Sequence, residues 1–549
     1  MGTSSVRPPS AEVVPRLNIR DPDGWLAWLA WAVIAFSALQ VLSFSFGRDQ
    51  SIYALVGEGV LHGKMPYRDL WDFKPPGIFL AYALAQGVFG RGMAAIRVLE
   101  AAGMIGMVFA FMRLADTFFE RPRAGLVGGA LAAIIHAELD FWHSGQPEVF
   151  GGYLTAFALV LATSRFHPRR RAWVWLGVGA LFGLAFLFKP PLGGGAFVCA
   201  AYLSKREQQR VASTARALLA LLIVGVGAAL PILLCGAWFV ARGAWPALHW
   251  TLGEFTPGYT ALSWQGREAA KMLYYALEEA FFRFSALAAA GVFAMASIAP
   301  IHSREREGVF LVLGVIAMQL AGVAMQGKFF AYHYAATLQL IGFLAGLGLY
   351  KLWRRCLPGG LGGALAFASF VVIAADMLTA VRDLPQSFSE RALIRLQYAL
   401  RIAPYTSREV VDRELSYVAD FNLSADREVG LEVRSRTAES DPIFVWGFEP
   451  AIYWFAERDP SSRFIYDVPQ RSEWQKGYAR AELMRDLNAH QPAMIIVQHN
   501  DVFPGVTGHA WDSHDELPGF PELASFIGLG YEPVKHIEDF DLYQRKTGG

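Results

Sequence analysis

Apolar residues recur in long runs from residue 25 to residue 381, separated by short polar connections. The runs are 25–46, 93–115, 124–138, 149–164, 172–188, 191–203, 214–240, 276–299, 308–326, 333–350 and 360–381. At a helical rise of about 1.5 Å per residue, a run near twenty residues with few charges matches the ~30 Å hydrocarbon thickness of a bilayer. The pattern predicts a serpentine bundle of transmembrane helices. The run 25–46 is too long for the apolar segment of a signal peptide and lacks a small-residue cleavage pattern, so it is expected as a retained first helix. The run 76–90 is expected as a short helix at the outer leaflet or a partial insertion, because a full crossing would invert every later connection.

After about Arg382 charges become frequent and the long runs stop. Ile443–Trp446 and Met494–Gln498 have the length and composition of buried strands, as does 463–466. The stretches 534–537 and 542–545 flank Asp539-Phe540-Asp541 as a terminal hairpin or two edge strands. Helical stretches at 450–456 and 477–490 lie between them, the alternation of a small α/β domain. The expected fold is an all-α polytopic membrane bundle of about 11 to 13 helices with a C-terminal α/β extracytoplasmic domain. Its parts are a cytoplasmic segment 1–24, a transmembrane module 25–381 whose first outer loop is 47–75, and a soluble domain 382–549.

Lys and Arg fix the orientation, since cytoplasmic connections carry the positive excess. Arg113, Arg121 and Arg123 form one basic connection, and Arg165 with Arg169 to Arg171 the next. Lys205, Arg206 and Arg210 form a third, Arg304 and Arg306 a fourth, and Lys351, Arg354 and Arg355 a fifth. The connections between them are poor in positive charge and are placed outside. Composition agrees: 54% of the 549 residues are hydrophobic, 18% are charged, and mean hydropathy is +0.30. A net charge of +1 implies no bulk electrostatic partner and argues against nucleic acid. Cys199, Cys235 and Cys356 fall in or beside apolar runs, without metal spacing or a disulfide framework.

The outer connections hold the chemistry. Asp49, Glu58, Asp69, Asp72 and Lys74 crowd the first of them, and ionisable groups at a membrane edge mark a functional site by default. Asp140 and Glu148 share a later connection that has no Lys or Arg. Lys74 and Lys189 are each followed by Pro-Pro, which fixes the backbone presenting a compact positive charge suited to phosphate. Lys328 and His333 lie at the outer end of one hairpin, where they could meet a phosphate or a sugar. The connection 245–264 is rich in Trp and Tyr, which reads as an interfacial belt more than a closing lid.

Asp49 after the first helix, then Gly63-Lys64-Met65-Pro66-Tyr67-Arg68-Asp69, then Lys74-Pro75-Pro76, resembles the GT-C superfamily of integral-membrane glycosyltransferases. The branch resembled contains protein O-mannosyltransferases, lipid A aminoarabinose transferases and core galacturonosyltransferases. Two departures stand out: Gln50 follows Asp49 where many members carry Asp-Glu, and Phe73 stands where aminoarabinose transferases carry Glu. The resemblance implies a bacterial inner-membrane enzyme with its active site and C-terminal domain facing the periplasm. Such an enzyme is expected to be inverting and moves a sugar from a polyprenyl-phosphate donor to an envelope lipid, glycan or protein. Asp49 is then the expected base, with Glu148 and Asp140 as further catalytic carboxylates. Lys74, Arg97, Lys189 and Lys328 are expected on the donor phosphate, and Glu58, Tyr67, Asp69 and His333 on the substrates. No metal ligand is assigned, and a divalent cation is compatible with the carboxylates without being required by their spacing. The competing class is a transporter of lipid-linked saccharides, but no internal repeat is evident.

Overall fold

The computed structural model describes residues 21–283, 303–377, 387–416 and 421–546. Most of the expected 1–24 segment, the greater part of the 276–299 run and residues 378–381 lie outside the described residues. Ten helices open the chain: α1 (Pro22–Ser43), α2 (Arg48–Leu61), α3 (Gly77–Phe89), α4 (Met93–Phe119), α5 (Pro122–Glu138), α6 (Asp140–His143), α7 (Pro147–Thr163), α8 (Arg171–Phe188), α9 (Gly195–Val211) and α10 (Thr214–Ala241). Later helices include Ser303–Gln326, Ala335–Cys356 and Gly360–Met377. Prolines at the first turns of α1, α5 and α7 start helices where a missing N–H costs nothing.

The chain runs back and forth between two ends. At one end Arg123 pairs with Asp21 and Arg354 with Asp23, both within 2.9 Å, while Lys351 meets Glu305 at 3.8 Å. Arg304 reaches Glu120, and Arg171 reaches Glu207. These contacts join the connections that the charge pattern assigns to one side. At the other end α2 and its loop meet the C-terminal domain: Arg48 pairs with Glu449 and Lys64 with Asp459. Both ends of α3 lie here, because Gly77 packs on Leu187 and Phe188 while Arg91, just beyond α3, bonds Glu58 and the Trp454 carbonyl. Its 13 residues reach only ~20 Å, so α3 returns without traversing the bundle.

Among the described residues six helices are long and apolar enough to cross a membrane: Pro22–Ser43, Met93–Phe119, Pro168–Phe188, Thr214–Ala241, Arg304–Gln326 and Ala331–Cys356. That is fewer than the count expected from sequence. Helices α5 and α7 have 17 residues each and span only ~25 Å, and the run at 191–203 divides into a 3-10 turn, Pro190–Gly194, and the half-polar α9. Helix Ala335–Cys356 is the buried centre, crossing α5 so closely that a Cβ on Gly346 would lie 2.2 Å from the Gly128 nitrogen. Helix α10 is the opposite case, with Leu218, Leu222, Leu233 and Leu234 exposed on a surface suited to lipid.

The C-terminal domain holds one four-stranded sheet in the order β1-β2-β4-β3. Its strands are β1 (Ile443–Trp446), β2 (Met494–Gln498), β3 (Tyr531–Ile537) and β4 (Phe540–Arg545). β1 and β2 pair in parallel and are buried along their whole length, as continuous apolar runs require. β3 and β4 form the expected terminal hairpin, with Pro533 on the edge strand. The stretch 463–466 is not a strand of this sheet. It pairs with the first loop instead, Phe464 bridging to Trp71.

Candidate functional site

Helix α2 opens at Gly47, and Asp49 lies in its first turn. The Gln50 side chain accepts from Gly47 N–H at 2.9 Å and donates to the carbonyls of Phe141 and Ser144. A glutamate here would set carboxylate oxygens against carbonyl oxygens, so the departure Asp49-Gln50 has a structural cause. Asp49 accepts from Gln146 at 3.1 Å and from Tyr53 at 3.4 Å, and its carboxylate stands 3.7 Å from the Lys74 ammonium.

Lys74 is held by its loop. Tyr67, buried with φ of 68°, donates its hydroxyl to the Lys74 carbonyl at 2.7 Å, and the Lys74 N–H meets Asp72 at 3.2 Å. Trp71 fastens the loop to the C-terminal domain: its N–H donates to the Arg463 carbonyl at 2.7 Å, and its ring packs on Phe255, Phe464 and Tyr466. Tyr466 donates to Asp72 at 2.6 Å, placing a C-terminal residue inside the loop's polar cluster.

The second Lys-Pro-Pro tract lies beside the first, since a Cβ on Gly77 would sit 2.6 Å from the Leu187 carbonyl oxygen. Lys189 follows α8 and pairs at 2.7 Å with Glu148, which the Pro147 helix start places in the first turn of α7. Lys328 completes the group. Its ammonium lies 3.7 Å from the centre of the Tyr259 ring and donates to the Gly505 carbonyl, and among the described residues it forms no ion pair. The His333 ring nitrogen Nδ1 contacts the Lys328 carbonyl, which occupies that nitrogen in holding the turn.

The charges act on one another. Burial opposes the charge on Lys74, but Asp49 and Asp72 outweigh it and raise its pKa above the ordinary lysine value. Burial pushes Lys189 below that value against the pull of Glu148, and Lys74 adds to the push. Burial and then Lys74 bring Lys328 down to about 8. Asp72 is pushed up to about 6, chiefly by burial and with a contribution from Asp49, against Lys74 and Tyr466. The result is a buried cluster of alternating sign in which Lys328 alone has no carboxylate partner among the described residues.

Asp49, Glu148, Lys74, Lys189, Lys328 and His333 therefore come together, and Tyr67 supports them. Other expected residues do not. Arg97 is fully buried, bonding Glu100, Ser144 and the Ser45 carbonyl, so its guanidinium is spent on bracing the bundle. Asp140 is fully buried against Arg391 and Arg395 of the helix Phe388–Ala399, both oxygens engaged. Glu58 pairs with Arg91, and Asp69 with Arg68 and the Met65 N–H, outside the cluster. The connection 245–264 is a helical segment with a π turn at Trp250–Phe255, packed on the first loop, and it brings Tyr259 against Phe73 at 4.7 Å. Sequence reasoning did not single out Tyr53, Gln146, Tyr466 or Tyr332, whose ring centre lies 5.6 Å from the Lys74 ammonium, for the site. The one set of three convergent metal-ligand atoms among the described residues, Asp512, His514 and Asp515, lies in the C-terminal domain, mostly exposed.

Residues 73–234 match the family model described as dolichyl-phosphate-mannose-protein mannosyltransferase. Among solved structures the chain is similar to ArnT from Cupriavidus metallidurans in its apo state, with a TM-score of 0.55 and 14% identity over 95% of this chain and 97% of that one. ArnT bound to undecaprenyl phosphate gives a TM-score of 0.53, again at 14% identity, over 95% of this chain and 98% of that one. No curated protein matches the chain. At this identity the likeness is one of fold. The resemblance to GT-C glycosyltransferases read from the first loop is thus met by both the family model and the architecture.

Proposed function

We propose that this protein is a membrane glycosyltransferase that moves a sugar from a polyprenyl-phosphate donor to an envelope acceptor at the outer face of the cytoplasmic membrane. The observation that carries the reading is the pairing of Asp49 with Lys74 at 3.7 Å, beside Glu148–Lys189 and an ammonium, Lys328, without a carboxylate. Transfer with inversion needs a base on the acceptor side of the anomeric carbon and a cation on the leaving phosphate at the opposite side. The acceptor oxygen forms a bond to the anomeric carbon as the bond to the phosphate oxygen breaks, and the acceptor proton passes to the base.

Asp49 is the base in this reading, and Lys74, 3.7 Å away, holds it aligned. Because Lys74 is engaged with Asp49 and Lys189 with Glu148, Lys328 is the cation best placed to take the phosphate charge. Glu148 and Lys189 then frame the sugar between them. The ArnT structure with undecaprenyl phosphate supports a lipid phosphate as the donor class.

The test is transfer by purified protein in sealed proteoliposomes, using labelled polyprenyl-phosphate sugars and envelope acceptors. Label appearing in the acceptor, with polyprenyl phosphate released in equal amount, supports the reading. Labelled lipid crossing the bilayer intact, with none transferred, would replace it with a transporter.

A further inference from the structure

A cavity lies at the basic end of the bundle, opposite the Asp49–Lys74 cluster, with a volume of about 340 Å³. It is formed by the end of α7, the connection 164–166, the start of α8 and the last turns of α9. Four guanidinium groups line it, those of Arg165, Arg171, Arg206 and Arg210, against one carboxylate, Glu207. Glu207 is buried and spends both oxygens on Arg171, at 3.1 and 3.2 Å. Arg206 is half-buried, stacked near Tyr202 and within 3.4 Å of the Ala162 carbonyl. Arg165 and Arg210 stand exposed at the rim. Lining by formal charge is four positive and one negative, a surplus of three.

The floor is apolar, with Trp175 and Leu203 buried beneath the guanidiniums. Trp173, two residues from both Arg171 and Trp175 on α8, is 73% exposed, as tryptophans at a membrane–water interface are. A cavity with a basic rim and an apolar floor, open at the level of lipid headgroups, matches a ligand with a phosphate head and acyl chains. Arginine stays charged at every physiological pH and presents forked donors to phosphate oxygens.

We propose that this cavity binds the phosphodiester headgroup of an anionic phospholipid of the cytoplasmic leaflet, separately from the donor site at the other end. Arg165 and Arg210 close on the phosphate, and Arg171 and Arg206 supply the fixed positive field behind it. The acyl chains run out over the apolar surface of α8 and α9. Binding here clamps the turn between α7 and α8 to α9, which holds the inner ends of helices whose outer ends carry Glu148 and Lys189.

The experiment is native mass spectrometry of delipidated full-length protein titrated with phosphatidylglycerol, phosphatidylcholine or inorganic phosphate, beside the variant Arg165→Ala/Arg210→Ala. Both substituted side chains are exposed, and the thermal midpoint without lipid checks that the variant folds. Phosphatidylglycerol is expected to bind the wild type preferentially, and the double variant to bind it roughly thirtyfold more weakly, about fivefold for each charge removed at a membrane surface. Equal binding of the two lipids, or unchanged phosphatidylglycerol binding in the folded variant, would overturn the proposal. Inorganic phosphate displacing the lipid at equal concentration would also overturn it, by making the site one for free phosphate.

Discussion

Replacing Asp140 by asparagine separates two roles for a residue that sequence placed among the catalytic carboxylates. Asp140 is fully buried, bonded to Arg391 Nε at 2.7 Å, to Arg395 Nη1 at 2.8 Å and to the Phe141 N–H at 2.7 Å. Burial alone would raise its pKa, but Arg395 and Arg391 outweigh burial and hold the carboxyl below the ordinary aspartate value. Asparagine keeps the shape but leaves two buried guanidiniums facing a neutral amide, a loss of about 3–5 kcal/mol for breaking a buried pair. That is roughly a hundred- to several-thousandfold in the folded-to-unfolded ratio. Because the folded carboxyl titrates below its unfolded value of about 4, the contribution is present at neutral pH and is lost as pH falls through the lowered value. Thermal unfolding in detergent, followed by tryptophan fluorescence across pH 3 to 8, should show a lower midpoint for Asp140→Asn at neutral pH. The gap should narrow at the acid end, while transfer per folded molecule, measured in the cold, stays near wild type. An unchanged midpoint together with lost transfer would refute the structural assignment and return Asp140 to the chemistry.

Other substitutions address the remaining residues. Lys328→Gln is expected to raise the donor KM roughly ten- to a hundredfold, the range for a hydrogen bond to a charged group. In wild type, donor affinity should fall as pH rises through about 8, where Lys328 loses its proton, and the variant should lack that step. Tyr466→Phe removes a donor that lowers the Asp72 pKa, so any acid limb governed by Asp72 should move upward from about 6; a pH–rate profile reads the shift. Arg97→Gln leaves Glu100 without its buried guanidinium and should reduce the yield of monodisperse protein without a selective change in donor KM.

Much of the fold is readable because two of its rules are local. Apolar run length set the helices, and Lys and Arg placement set which connections share an end, as the Arg123–Asp21 and Arg354–Asp23 contacts show. The count of membrane-crossing helices was less readable, because α5 and α7 are short helices buried among others, where packing compensates for length. In the site, Asp49 and Lys74 were legible because both sit in one loop beside lipid. The buried partners of Arg97 and Asp140 were not legible, because a charge near a helix end looks alike whether it faces a substrate or a buried partner, and Ser144, Arg391 and Arg395 are 47 to 255 residues away in sequence. Tyr466 was hidden for the same reason: its stretch has the apolar character of a strand, but its partner is the first loop, 394 residues away.

The most direct test of the account is the rate of sugar transfer by Asp49→Asn, with donor binding measured on the same preparation. Asparagine keeps the bond from Gln146 within reach but cannot take the acceptor proton. General-base catalysis contributes about a hundred- to ten-thousandfold, so the account predicts a kcat lower by at least a hundredfold, with labelled donor still bound and the thermal midpoint near wild type. Transfer at the wild-type rate in the folded, donor-binding variant would contradict it and would leave Glu148 as the carboxylate to examine next.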